Sequence, residues 1–153
     1  MDAQTYVRHH LEFATASPGN RVWFTLVTNQ ASGGTEPNQQ PAIASYAVGD
    51  LAAQPDGRLS GRAMHYFSDR RTPNSPVVAP FDENHTDDLG VDIALEKGEV
   101  VLTLTAHSWG GGSQALAHLQ LCSGVLCGSG GSIGHQSDGA CYVVSLAQTI
   151  APG

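Results

Sequence analysis

The stretch Asp87–Trp109, DDLGVDIALEKGEVVLTLTAHSW, constrains the fold more than any other part of the chain. Two runs of alternating apolar and polar residues flank Lys97-Gly98, a two-residue turn in which glycine supplies the positive φ of a tight hairpin. With Lys97 and Gly98 as the loop, Leu95 faces Val100, Ile93 faces Leu102 and Val91 faces Leu104. Successive side chains alternate across a strand, so these six share one apolar face. The other face carries Ala94 with Val101, Asp92 with Thr103, and Asp88 opposite His107. The pattern is that of an antiparallel ribbon buried on one side.

The remaining segments repeat this short-strand grammar. Thr5 to Phe13 (TYVRHHLEF) alternates, with Val7, His9, Leu11 and Phe13 on one side, and reads as a strand. Arg21 to Thr28 (RVWFTLVT) is rich in β-branched and aromatic residues and pairs with it as a hairpin across Ser17-Pro18-Gly19-Asn20. Ala42 to Val48 and Arg58 to Ser68 are further strands, joined by a connector over Gly49 to Gly57. Residues 29–41 and 69–88 read as long loops, the second with room for a short strand over 76–79. Ser113 to Cys122 fits either a capped helix or a strand, and the alternation of Ala115, Ala117, Leu119 and Leu121 favours the strand. Cys122 to Gly139 is dominated by Gly and Ser and reads as loop, and Ala140 to Thr149 is the last strand. The expectation is a single all-β domain spanning residues 1–153, an antiparallel β-sandwich or β-barrel of about eight or nine strands.

Composition removes several function classes. The chain has seven basic residues and a formal net charge of −7, so it lacks the basic footprint that nucleic acids or anionic membrane surfaces require. No run approaches the roughly 20 apolar residues of a membrane span. The first residues, MDAQTYVRHHLEF, lack the basic start and apolar core of a signal peptide, which points to a cytoplasmic protein unless it is exported by another route. The cysteines are Cys122, Cys127 and Cys141, an odd number. Free thiols in a reducing compartment are the simpler reading. A Cys122–Cys127 disulfide, and a zinc site built from the three thiols with His135, are the alternatives.

Three constellations carry candidate binding chemistry. Asp82, Asn84, Asp87 and Asp88 give a dense run of oxygen donors of the kind Ca²⁺ takes, though the same residues serve as a solvated acidic loop. On the polar face of the hairpin, Asp88, Asp92 and His107 lie near Trp109, and these with Trp23 are candidate ligand-binding residues. Were the sheet to close, His9, Trp23, His65 and Tyr66 would converge in the lumen, with His9, His65 and Tyr66 as polar anchors or acid/base groups.

Ala106-His107-Ser108-Trp109-Gly110-Gly111 resembles the nucleophile elbow of the α/β-hydrolases over about six residues, with alanine at the first glycine of G-x-S-x-G. The resemblance implies Ser108 as nucleophile and the Trp109 amide as part of an oxyanion hole. An elbow strand sits in a parallel sheet, however, whereas the strand here belongs to a tight antiparallel hairpin.

The function expected from these features is non-enzymatic binding of a small molecule or glycan, with a cation-holding acidic loop. The alternatives are a small barrel enzyme or carrier acting on an apolar molecule in its lumen, and a serine hydrolase using Ser108. Low charge and strand edges also suit a homo-oligomer.

Overall fold

The computed structural model describes residues 1–30, 43–67, 86–106, 114–132 and 135–150, with side chains placed for all of these except 29–30, 43–45, 65–67, 86–87, 131–132 and 135–140. Among the described residues one helix, α1 (Ala3–Ala16), precedes eight strands: β1 (Asn20–Gln30), β2 (Ile43–Ala53), β3 (Leu59–Phe67), β4 (Thr86–Glu96), β5 (Glu99–Ala106), β6 (Gln114–Cys122), β7 (Val125–Ser132) and β8 (His135–Ile150). Each strand pairs antiparallel with the next, and β8 returns to β1, so the sheet closes into a barrel. Closure leaves no unpaired edge, which decides between the sandwich and the barrel.

Alternation sorts each strand into an inner and an outer row. In β1, Val22, Phe24, Leu26 and Thr28 are buried while Trp23 and Val27 face outward. The hairpin of β4 and β5 has the register its sequence dictates, with Leu95 opposite Val100, Ile93 opposite Leu102 and Val91 opposite Leu104. Lys97 and Gly98 both take positive φ, 50° and 83°, as a mirror-image turn demands. The expected pairing of Asp88 with His107 lies outside the described residues.

Thr5 to Phe13 forms the helix α1 and not a strand. Asp2 caps it, its carboxylate accepting from the Thr5 amide at 2.8 Å, and that bond holds the carboxyl below its usual range. The buried stripe Ala3, Tyr6, Val7, His10, Leu11 and Ala14 has helical spacing. A ninth strand would also have no edge to pair with once the barrel is closed. His9 therefore sits exposed on a helix, off any apolar strand face.

A second correction concerns Cys122 to Gly139. This Gly/Ser-rich stretch is not loop but supplies β7 and the start of β8. A Cβ at Gly128 would collide with the His118 carbonyl oxygen of β6, and one at Gly130 with that of Leu116. Glycine is what lets these two strands approach. β2 likewise runs on to Ala53, through most of the expected connector.

The β6–β7 hairpin turns at Ser123 and Gly124, both at positive φ, and is braced by a Cys122–Cys127 disulfide. The reading of three free thiols is thus corrected: only Cys141 is free, exposed on the outer wall. With a sequence separation of 5, the bridge closes a short loop, and chain-entropy arguments give it about 2 kcal/mol. Cys122→Ser is expected to lower the urea midpoint accordingly and to abolish the wild type's response to reductant.

The described turns, at 54–58, 97–98 and 123–124, lie at one end of the barrel, and α1 covers that end. It packs against β1, β2, β5, β6 and β8, with Val7 fully buried in the core. The Tyr6 hydroxyl donates to the Leu146 carbonyl at 3.4 Å and accepts from the Leu146 amide at 3.0 Å. Segments 31–42, 68–85, 107–113 and 133–134 connect strands at the opposite end. Among the described residues no helix is long and apolar enough to cross a membrane.

Candidate ligand-binding site

An eight-stranded barrel encloses just enough space for its own side chains or for one small ligand. The end under α1 is filled by large apolar groups: Val22, Phe24, Leu51, Leu59, Ile93 and Leu102 are all fully buried. Toward the opposite end the inner row changes character. Ala47, Ala63, Ala106 and Ala115 stand between the buried Leu26, Leu89 and Leu104, and two hydroxyls enter the wall. These belong to Thr28 on β1 and Tyr142 on β8, residues paired directly across the ladder.

Thr28 is 4% exposed, and its Oγ1 has no hydrogen-bond partner among the described residues. A hydroxyl stranded in this way costs about 1–3 kcal/mol, so it calls for a reason. Burial pushes the Tyr142 phenol up to about 12, which keeps it a neutral hydrogen-bonding group throughout the physiological range. The wall therefore carries methyl groups, a neutral phenol and a hydroxyl that has no partner among the described residues.

The topology gathers several of the sequence candidates at this same end. His65 is two positions beyond Ala63 on β3, in register with Ala47 on one side and Asp87 on the other. Tyr66 is in register with Tyr46 and Thr86. Asp82 and Asn84, between β3 and β4, and His107, Ser108 and Trp109, immediately after β5, lie outside the described residues.

Other candidates are placed elsewhere. Trp23 is on the outer wall, 39% exposed, because its odd position in β1 points away from Val22 and Phe24. With His9 on the helix at the other end, the expected convergence of His9, Trp23, His65 and Tyr66 does not form. Asp88 and Asp92 are also on the outside. Asp88 accepts from Arg62 of β3 at 2.7 Å, diagonally across the β3–β4 ladder, and Asp92 accepts from Arg58, the residue before β3, at 2.7 Å. Burial raises the Asp92 carboxyl above its ordinary value, and Arg58 pulls it part of the way back. These two acids are thus engaged in cross-strand ion pairs.

Among the described residues no group of three or more His, Cys, Asp or Glu gathers to hold a metal. The zinc set is broken up, with Cys122 and Cys127 bonded to each other. The hydrolase resemblance lacks its context, since β5 is antiparallel to both β4 and β6. A surface hollow of about 450 Å³ beside the start of α1 brings His118 and Glu99 within 2.9 Å. Both side chains are more than half exposed, so water screens the pair.

Thr28 and Tyr142 escaped the reading of the sequence because each is an ordinary strand former inside a strand segment. The signal was parity. Thr28 shares the row of Val22, Phe24 and Leu26, and Tyr142 that of Val144 and Leu146. No protein-family model, curated protein or solved structure matches the chain.

Proposed function

We propose that this chain is a non-enzymatic binding protein that takes a small, neutral, hydrogen-bonding molecule into the barrel end away from α1. The observation that carries this reading is the buried Thr28 hydroxyl without a partner among the described residues, two positions before the end of β1 and in register with Tyr142. A ligand that hydrogen-bonds to that oxygen removes the cost of leaving it unpaired. The small inner residues Ala47, Ala63 and Ala106 make an apolar floor, and the polar groups above fix orientation, the usual division of labour in a small-molecule site. Long connecting segments at the same end are where binding residues concentrate in β scaffolds. Monosaccharides and short polyols fit this chemistry.

The test is a thermal-shift screen of neutral polyols, monosaccharides and small amides, followed by calorimetry on the stabilising compounds. Thr28→Val keeps the shape and removes the hydroxyl, and it is expected to weaken binding by about three- to tenfold. Trp23→Ala on the outer wall is expected to leave affinity unchanged. A library without a single stabilising compound sinks the reading. So does a ligand that is indifferent to Thr28→Val but lost in Trp23→Ala.

A further inference from the structure

The docked face of α1 contains one imidazole. His10 is 9% exposed, and its Nδ1 is buried without a hydrogen-bond partner among the described residues. Its ring meets that of Tyr6 edge to face, with centroids 4.9 Å apart and planes at 65°. Tyr6 is the residue whose hydroxyl ties the helix to the Leu146 backbone of β8. His10 therefore stands beside the clamp that holds α1 on the barrel.

The surroundings suit only a neutral ring. On α1 the charged or titratable groups are Asp2 at the cap, Tyr6, Arg8, His9 and Glu12. On the strands beneath, Arg21 of β1 donates to the Pro18 and Asn20 carbonyls, and Asp50 of β2 is exposed. Glu99 of β5 pairs with His118 of β6, and Tyr142 of β8 is buried near the other end. Burial is the main influence on the titration of His10, with the neighbouring His9 second, and both disfavour the cation. A proton arriving at Nδ1 would leave a buried charge and a second N–H donor with nothing to receive it.

We propose that α1 is an acid-released plug: protonation of His10 frees the helix from the barrel end while the eight strands stay closed. The sign follows from linkage. The docked state binds fewer protons than the undocked one, so docking is complete above the ordinary histidine value of about 6.5 and weakens as pH falls through it. At pH 5.5 the docking equilibrium is expected to have dropped by up to about tenfold. Release would uncover the apolar surface around Val7, Val22 and Leu146. This device is independent of the ligand reading, since it lies at the other end of the barrel.

The experiment is hydrogen exchange on the full chain at pH 7.5 and 5.5, corrected for intrinsic exchange, with the His10 ring titrated by NMR alongside. Amides of residues 3–16 should lose up to about tenfold in protection at the lower pH, while those of β1 and β8 keep theirs. His10 should titrate below the ordinary histidine value. His10→Leu, which cannot charge, should keep the helix protected at both pH values. Equal protection of wild-type α1 at the two pH values overturns the proposal, as does the same acid release in His10→Leu. If His10→Leu does not fold, the wild-type exchange and titration still decide.

Discussion

Gly49→Ala is expected to destabilise the barrel by about 3 kcal/mol, although it adds a single methyl group. Gly49 lies opposite Ala63 in the β2–β3 ladder and opposite Phe24 in the β1–β2 ladder. A Cβ there would collide with the Arg62 carbonyl oxygen, and it would sit 2.6 Å from the Ala63 Cα and 3.0 Å from the Ala63 Cβ. The first two of these atoms are backbone, so no rotamer change relieves the clash. The strands must separate, and a separated ladder in a closed barrel cannot be absorbed at a free edge. Gly19→Ala is the control, because nothing lies within 4 Å of a Cβ at that position. Urea denaturation of the two variants should show a large loss for Gly49→Ala and almost none for Gly19→Ala.

Phe24→Ala is expected to cost about 4 kcal/mol. Phe24 is fully buried and has Gly49 on one side and Leu146 on the other. Removal of a fully buried ring opens a cavity in the core, and a glycine neighbour has no side chain with which to fill it. Thermal or urea unfolding measures the loss. Phe24 and Gly49 are direct neighbours across the β1–β2 ladder, so the losses of the two variants are not expected to be strictly additive.

The hairpin of β4 and β5 was legible residue by residue, since a two-residue turn with glycine at positive φ leaves one register. The strand character of Arg21 to Thr28 and of Gln114 to Cys122 was legible for a related reason: their apolar residues fall on alternate positions. Helix α1 was not, because Val7, Leu11 and Phe13 satisfy period two while Val7, His10, Leu11 and Ala14 satisfy the helical spacing equally well. The tie is broken by barrel closure, a property of the whole chain, although Asp2 three residues before Thr5 was a local hint of a cap. β7 was hidden by its glycines, whose role is set by the carbonyls of β6 and not by their neighbours in sequence. The same limit applies to the site. Thr28 and Tyr142 look like ordinary strand residues until the register brings β1 and β8 together. Asp88 and Asp92 look like ligand groups until Arg62 and Arg58 are found on them.

The most direct test of the central claim, that a small neutral molecule binds at the barrel end away from α1, is a two-dimensional amide NMR map of the protein titrated with the best stabilising compound from the screen. The shifts should centre on Thr28 and Tyr142, extend to Ala47 and Ala63, and leave α1 and the Lys97-Gly98 turn untouched. Shifts confined to the outer wall around Trp23 and Val143, or to the helix end, would contradict the account.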